Sequence, residues 1–246
     1  MITPMPGNFW NSLLDFIYPK VCISCKAKLT DKANIDDIIC LGCWNKIKKN
    51  TPPFCHFCGR QLNKNSLSKG ICPACIRKKM HFDRALSPCS YEGVMKELIH
   101  QFKYKNKDYL GQTLGKLMVD FIKEYDVPVH FMDAVIPVPL YKTRLREREF
   151  NQAQVLSDNI GRAFMKPVLK DVLKRAKHTR TQTELKDEDR ALNVKGAFVT
   201  ALPGEVKDKN ILLVDDVFTS GATSSEAALA LKEAGANIVF VLTLAN

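Results

Sequence analysis

The run Ile211-Leu-Leu-Val-Asp-Asp-Val-Phe-Thr-Ser-Gly-Ala-Thr223 decides the fold. Its first four residues are all apolar, the pattern of a parallel strand covered on both faces. Two carboxylates, Asp215 and Asp216, then arrive at the C-terminal edge of that strand, where open α/β sheets place their ligands. Thr219, Ser220, Gly221, Ala222 and Thr223 lead into a helix N-terminus, whose free N–H groups and dipole suit a phosphate. Neighbouring carboxylates accept hydrogen bonds from sugar hydroxyls or hold a magnesium-bound ligand. The segment is built for a ribose 5-phosphate, with the sugar on the acids and the phosphate on the loop. The competing reading is a scaffold whose acids only cap and solvate the strand end.

The flanking sequence supports an α/β sheet. A helix over Ser224–Ala234 and a strand over Ile238–Leu244 complete a strand–helix–strand crossover. Upstream, Met132–Val138 reads as a strand, and Asn151–Phe164 reads as a helix with Ala153, Leu156, Ile160 and Phe164 inward. Two more helical faces are marked by Val94, Met95, Leu98, Ile99 and Phe102, and by Leu110, Leu114, Leu117, Met118, Phe121 and Ile122. These alternating elements predict a mostly parallel sheet with helices on both faces, over residues 83–246. Gly111 to Lys116 reads Gly-x3-Gly-Lys, one residue short of a phosphate-binding P-loop and without the following Ser or Thr.

Residues 1–80 differ in kind. They carry 13 Lys and Arg against 4 Asp and Glu, a surplus of +9 out of a chain total of +11. They also hold eight of the nine cysteines, in the pairs Cys22/Cys25, Cys40/Cys43, Cys55/Cys58 and Cys72/Cys75. Two thiolates three positions apart on a tight turn grip one side of a tetrahedral ion, and a second such knuckle closes the other. The spacers between knuckles, 14 residues from Cys25 to Cys40 and 13 from Cys58 to Cys72, nearly repeat. The module therefore reads as a duplicated ribbon with two structural Zn2+ sites. Sequential pairing is expected, with an interleaved cross-brace left open. A disulfide framework, an iron–sulfur cluster or a redox dithiol competes with zinc. The N-terminus carries Asp15 and lacks both a basic leader and a small-residue cleavage site, so a cytoplasmic, reducing location that favours thiolate is expected. Gly42 and Gly59 are expected to ease the knuckle turns, His56 to be solvated, and Cys89 to be a buried apolar thiol. No apolar run approaches the roughly 20 residues of a membrane span.

The Ile211–Thr223 stretch resembles the phosphoribosyl diphosphate (PRPP) motif of type I phosphoribosyltransferases. From an N-terminal helix before Cys22 to its last strand, the chain is similar to the ComF family (ComFC or GntX-like). The resemblance implies a type I phosphoribosyltransferase-like fold behind a double zinc ribbon. It implies that Asp215 and Asp216 bind ribose hydroxyls, that residues 219–223 bind the 5-phosphate, and that Mg2+ accompanies PRPP. Ile136 to Gln152 stands in the place of the diphosphate loop, with Arg144, Arg146 and Arg148 as anion partners. The family usually reads Arg-Gly-Phe-Asn-Gln there, whereas this chain has Arg148-Glu149-Phe150-Asn151-Gln152. Glu149 is expected to remove any glycine-only conformation and to weaken diphosphate binding. Arg175, Thr179, Gln182, Leu185, Arg190 and Asn193 match the family pattern where a mobile loop covers PRPP, against the alternative of a solvated charge run.

By family role, such proteins serve natural transformation, handling single-stranded DNA on the cytoplasmic side beside a helicase-like ComF partner and a recombination mediator. The GntX group is linked instead to gluconate use. An active, Mg-dependent transfer of ribose 5-phosphate from PRPP to an acceptor is the alternative function. The residues are compatible with DNA binding. Lys20, Lys26, Lys28, Lys46, Lys48, Lys49, Lys78 and Lys79 surround the ribbons, with Trp44, Phe54 and Phe57 between them. Trp44 is expected to be buried as core. The ribbons are expected to roof the phosphoribosyl site.

Overall fold

The computed structural model describes residues 19–30, 33–62, 66, 69–76, 78–104, 107–177 and 192–246. In the cysteine-rich part, β1 (Asn34–Ile35) and β2 (Ile39–Cys40) pair antiparallel, and α1 (Leu41–Trp44) follows. The remainder runs β3 (Arg84–Leu86), α2 (Gly93–Phe102), α3 (Leu110–Glu124), β4 (Ala134–Pro137), α4 (Lys142–Arg148), α5 (Gln152–Phe164), β5 (Leu173–Arg175), β6 (Phe198–Thr200), β7 (Asn210–Val217), α6 (Ala222–Glu233) and β8 (Ile238–Ala245). The main sheet has the order β3-β8-β7-β4, parallel throughout. Backbone bonds between Val135 and the 167–169 segment extend it beyond β4. β5 and β6 pair antiparallel as a separate ribbon.

Side-chain alternation along β7 and β8 builds two cores. Leu212, Val214, Leu242 and Leu244 face α2, α3 and α5, while Ile211, Leu213, Val239 and Val241 face α6. Helices therefore cover both faces, which is why the central strands read as unbroken apolar runs. The Gly-x3-Gly-Lys segment lies inside α3 and serves packing. A Cβ at Gly111 would meet Val155 Cγ1 at 2.2 Å, and one at Gly115 would meet Asn159 Cβ at 2.7 Å. The two glycines let α3 and α5 approach closely enough for Asn159 Nδ2 to donate to the Gly111 carbonyl.

The ribbons join these same cores on opposite sides of the sheet. Cys22, Ile39 and Cys43 pack with α2 and α3, whereas Cys55, Cys58, Cys72 and Cys75 share the other core with Phe82, Ala85 and α6. Polar ties fix the first ribbon: Ser24 Oγ donates to Glu97 (2.7 Å) and Thr113 Oγ1 to Asp36 (2.7 Å). The second docks through backbone, with Ala85 N donating to the Phe57 carbonyl (2.7 Å).

Gly59 marks that contact. Its φ is +68°, but the equivalent position of the first ribbon, Lys26, holds φ +62° with a full side chain. The left-handed turn alone therefore does not demand glycine. Space does: a Cβ on Gly59 would stand 2.5 Å from both Ala85 O and Leu86 Cα of β3. Gly59→Ala is expected to destabilise by about 3 kcal/mol, combining left-handed strain with overpacking against backbone. Lys26→Gly should be nearly silent. Urea unfolding of the two variants checks the difference. Gly42, by contrast, sits inside α1 without a positive φ, so its turn does not require a glycine.

Candidate functional site

The eight cysteine sulfurs gather into two clusters, Cys22/Cys25/Cys40/Cys43 and Cys55/Cys58/Cys72/Cys75, with the ligand atoms of each within 4.8 Å of one another. This is the sequential pairing. Sulfurs at about 2.3 Å from a tetrahedral zinc lie about 3.8 Å apart. The Cys25–Cys40 and Cys58–Cys72 sulfur separations, 3.7 and 3.6 Å, fit that edge, and all eight are free thiols. The halves are duplicates in detail. Cys40 N donates to Cys22 Sγ as Cys72 N donates to Cys55 Sγ, and the Val21–Lys28 bridge recurs as Phe54–Gln61. Burial opposes ionisation of Cys22, yet the N–H groups of Cys40, Cys25 and Ser24 outweigh it and lower its pKa to about 6. A bond from Cys75, acting against burial, lowers Cys58 to about 5. Burial and neighbouring sulfurs push Cys43, Cys72 and Cys75 up, so each cluster by itself favours one thiolate, and its four-sulfur geometry fits Zn2+. His56 is exposed and Cys89 fully buried, as expected.

The second site forms at the C-terminal ends of the parallel strands. β7 delivers Asp215 and Asp216, both half-buried, and continues to Val217. The chain then turns through exposed Thr219 and buried Ser220 to Gly221, whose φ of +82° caps α6. Ala222 and Thr223 form the first turn of that helix. Here glycine is required twice over, since a Cβ would also meet Phe218 Cζ at 2.5 Å and Met80 Cε at 3.0 Å. Segment 78–81, leaving the second ribbon, lies on this loop. Lys78 Nζ donates to Ser220 O (3.1 Å), and His81 N to Ser225 Oγ (3.1 Å).

Charges converge on the two acids. Lys103, at the end of α2, binds Asp216 at 2.7 Å. Burial raises the cost of ionising Asp216, but Lys103 overcomes it and holds its pKa below the ordinary carboxylate value. Burial and the Asp216 charge push Asp215 up to about 8. Arg175, at the end of β5, lies 5.3 Å from the Phe198 ring centroid. Burial lowers its pKa, Arg144 and Arg148 add to that effect, and Asp215 opposes it. Arg148 also acts on Asp216 and donates to Gln152 Oε1 at 2.9 Å. Lys103 and Arg148 therefore act on Asp216 and Arg175 on Asp215, with Arg144 close enough to act on Arg175.

Arg144 and Arg148, four residues apart on α4, address this centre, whereas Arg146 lies on the other side of the helix. Asn193 is half-buried; Thr179, Gln182, Leu185 and Arg190 lie outside the described residues, as do residues 1–18. Two expectations are corrected. Trp44 is half-buried at the edge of the first core instead of inside it. Glu149 does not abolish the glycine conformation: it caps α4 at φ +68°, ψ −17°, with its N–H bonded to Leu145 O. The helix end and the Asn151 N-cap of α5 over-determine the turn, so a non-glycine residue is forced into it. Glu149→Gly should relieve about 1 kcal/mol of backbone strain and tighten anion binding several-fold, by removing a negative charge beside the arginines. Urea unfolding and PRPP titration of this variant check both effects.

Sequence reading missed Lys103, which belongs to no motif, and counted Lys78 with the ribbon lysines, whereas it reaches the Ser220 carbonyl. Lys103 looks like a solvated helix end until α2 is seen to finish at the dyad. The only available signal was its place at the polar end of an apolar helical face. Among the described residues no helix is long and apolar enough to cross a membrane.

Comparison with known proteins agrees with this layout. Residues 13–76 match the double zinc ribbon domain family. Competence protein F of Haemophilus influenzae is 33% identical over 228 residues, covering 92% of this chain and 96% of the relative. Competence protein ComFC of Bacillus subtilis is 26% identical, covering 89% and 91%. DNA utilization protein YhgH of Escherichia coli K12 is 28% identical, covering 84% and 89%. A solved B. subtilis glutamine PRPP amidotransferase, complexed with ADP and GMP, superposes with a TM-score of 0.38 at 23% identity, over 56% of this chain and 26% of that one. One third of positions shared across nearly the full length of competence protein F, ribbons and sheet alike, makes this chain a member of the ComF family.

Proposed function

We propose that the chain serves DNA uptake as a two-ligand protein, binding single-stranded DNA and PRPP, the latter in the pocket at the end of β7. The observation that carries the PRPP reading is the convergence of an acid dyad, a glycine-capped helix N-terminus and three arginines at one sheet edge. Asp215 and Asp216 would accept the ribose hydroxyls. The N–H groups of residues 221–223 would hold the 5-phosphate with help from the helix dipole. Arg144, Arg148 and Arg175 would grip the diphosphate through bidentate forks. Mg2+ bound with PRPP would supply charge neutralisation on the diphosphate. Lys78 and Met80 support the idea that the ribbons roof this pocket, since both reach its phosphate loop. The DNA reading draws on the relatives named for competence and DNA utilization.

Calorimetric titration of the zinc-loaded protein with PRPP and Mg2+, and separately with oligo-dT, tests both halves. Both ligands should saturate. Gly221→Val, which fills the phosphate loop, should lose PRPP and keep the oligonucleotide. Unchanged PRPP binding by Gly221→Val would remove the loop from the site.

A further inference from the structure

The aromatic rings among the ribbon lysines are committed to packing. Phe54 stands edge-on to Phe121 and Tyr125, at 5.7 and 5.4 Å between centroids. Phe57 packs on the second core and Trp44 on the first. Several of the lysines are engaged as well: Lys20 with Asp37, Lys48 with Glu92, Lys26 with the Ile23 carbonyl and Lys78 with the Ser220 carbonyl. A strand of DNA needs rings with a free face, and these three are half-buried against the cores.

Two other rings are exposed. Tyr104 is 54% exposed and Tyr109 47%, and they bound the connection between α2 and α3. Each is held in place by a basic or imidazole neighbour. His100 meets Tyr104 edge-on at 5.0 Å, its Nε2 lying 3.3 Å from the tyrosine hydroxyl. Lys107 Nζ lies 5.7 Å over the Tyr109 ring and donates to its hydroxyl at 3.3 Å. Lys96, exposed and one turn before His100, extends the row back along α2. A propped aromatic ring with a cation beside it is the unit that binds single strands without sequence preference: the base stacks and the cation meets the backbone.

Position adds to the case. Tyr104 directly follows Lys103, the residue bonded to Asp216. Gln152 Nε2 donates to the Phe102 carbonyl (3.2 Å) and Phe102 packs on Phe150, so this connection is fastened to the Arg148–Gln152 corner of the pocket. We infer that Tyr104 and Tyr109, with Lys107, His100 and Lys96, form the platform on which a single DNA strand stacks, at the rim of the phosphoribosyl pocket. This inference rests on the single-strand reading above and assigns that ligand a place.

Fluorescence anisotropy of labelled oligo-dT tests it, using the full zinc-loaded chain. Tyr104→Ala/Tyr109→Ala should bind about a hundredfold more weakly, at about tenfold per stacked ring, with zinc content and melting temperature unchanged. Tyr104→Phe/Tyr109→Phe should bind as wild type does, because stacking needs the ring and not the hydroxyl. Lys107→Gln should reduce the slope of log affinity against log salt by about 0.7. Wild-type affinity in the alanine pair, with a large loss in Lys28→Gln/Lys46→Gln/Lys49→Gln, overturns the platform and returns the strand to the ribbons. Wild-type protein that binds no oligonucleotide overturns the single-strand reading itself, and the exposed tyrosines would then belong to a protein interface.

Discussion

Stripping the metal with a strong chelator is expected to unfold both ribbons and to lower the stability of the α/β part in the same transition. Four sulfurs held within 4.8 Å lose the charge that draws them together once the ion is gone. Structural zinc in such sites contributes on the order of 10 kcal/mol of apparent folding free energy, as much as the whole stability of an ordinary domain. The effect should spread because the ligands are also core residues. Cys22 and Cys43 pack with Leu98, Met118 and Ile122, and Cys55 and Cys58 pack with Phe82 and Ala85. Cys40→Ser and Cys72→Ser should each lose one of two zinc equivalents, read by metal analysis, and each should melt well below the wild type. Loss of less than one equivalent in both variants would contradict two separate four-cysteine sites.

PRPP affinity should rise steeply with pH. Asp215 is pushed up to about 8 by burial and by the Asp216 charge, so at pH 6 it is mostly protonated and has lost acceptor capacity. Its raised pKa means that the free protein holds a proton that the ionised, ligand-accepting form must release. Affinity is therefore expected to increase nearly tenfold per pH unit from 6 towards 8 and to level off above that, once the titration of PRPP itself is subtracted. Asp216 stays ionised through this window because Lys103 holds its pKa low. Lys103→Met removes that partner and should move the rise to higher pH. Calorimetry at several pH values in buffers of different ionisation heat would show one proton released near pH 7. A flat profile would mean that Asp215 is ionised already and that the dyad is more solvated than its burial implies.

The strand ending in Asp215-Asp216 was legible because it is buried on both sides, and an unbroken apolar run admits few other readings. Its limits moved slightly: β7 reaches Val217 because Val217 still pairs with Ala245, and α6 begins at Ala222 because Gly221 already provides the cap. Cysteine spacing revealed four knuckles but not their partners, since an interleaved arrangement has the same spacing. Folding brought Cys22 to Cys40 and Cys55 to Cys72 in turn. The residues that sequence could not supply are those that arrive by tertiary packing. Lys103 reaches Asp216 across more than a hundred positions, and the ribbons divide between two faces of a sheet. Composition likewise could not separate working rings from packed ones. Phe54 and Tyr104 are both aromatics of basic segments, and the presence of Phe121 and Tyr125 against the first tells them apart.

A phosphoribosyl pocket at the end of β7 is tested by calorimetric titration of PRPP with Mg2+ at pH 8.5 into the wild type and Asp215→Asn/Asp216→Asn. The wild type should bind one PRPP per chain, and the variant, with its carboxylates replaced by neutral amides of the same shape, should show no binding at millimolar ligand while retaining two zincs and its oligo-dT affinity. Equal PRPP binding by the two proteins, or none by the wild type, would contradict the assignment and leave the sheet edge as scaffold.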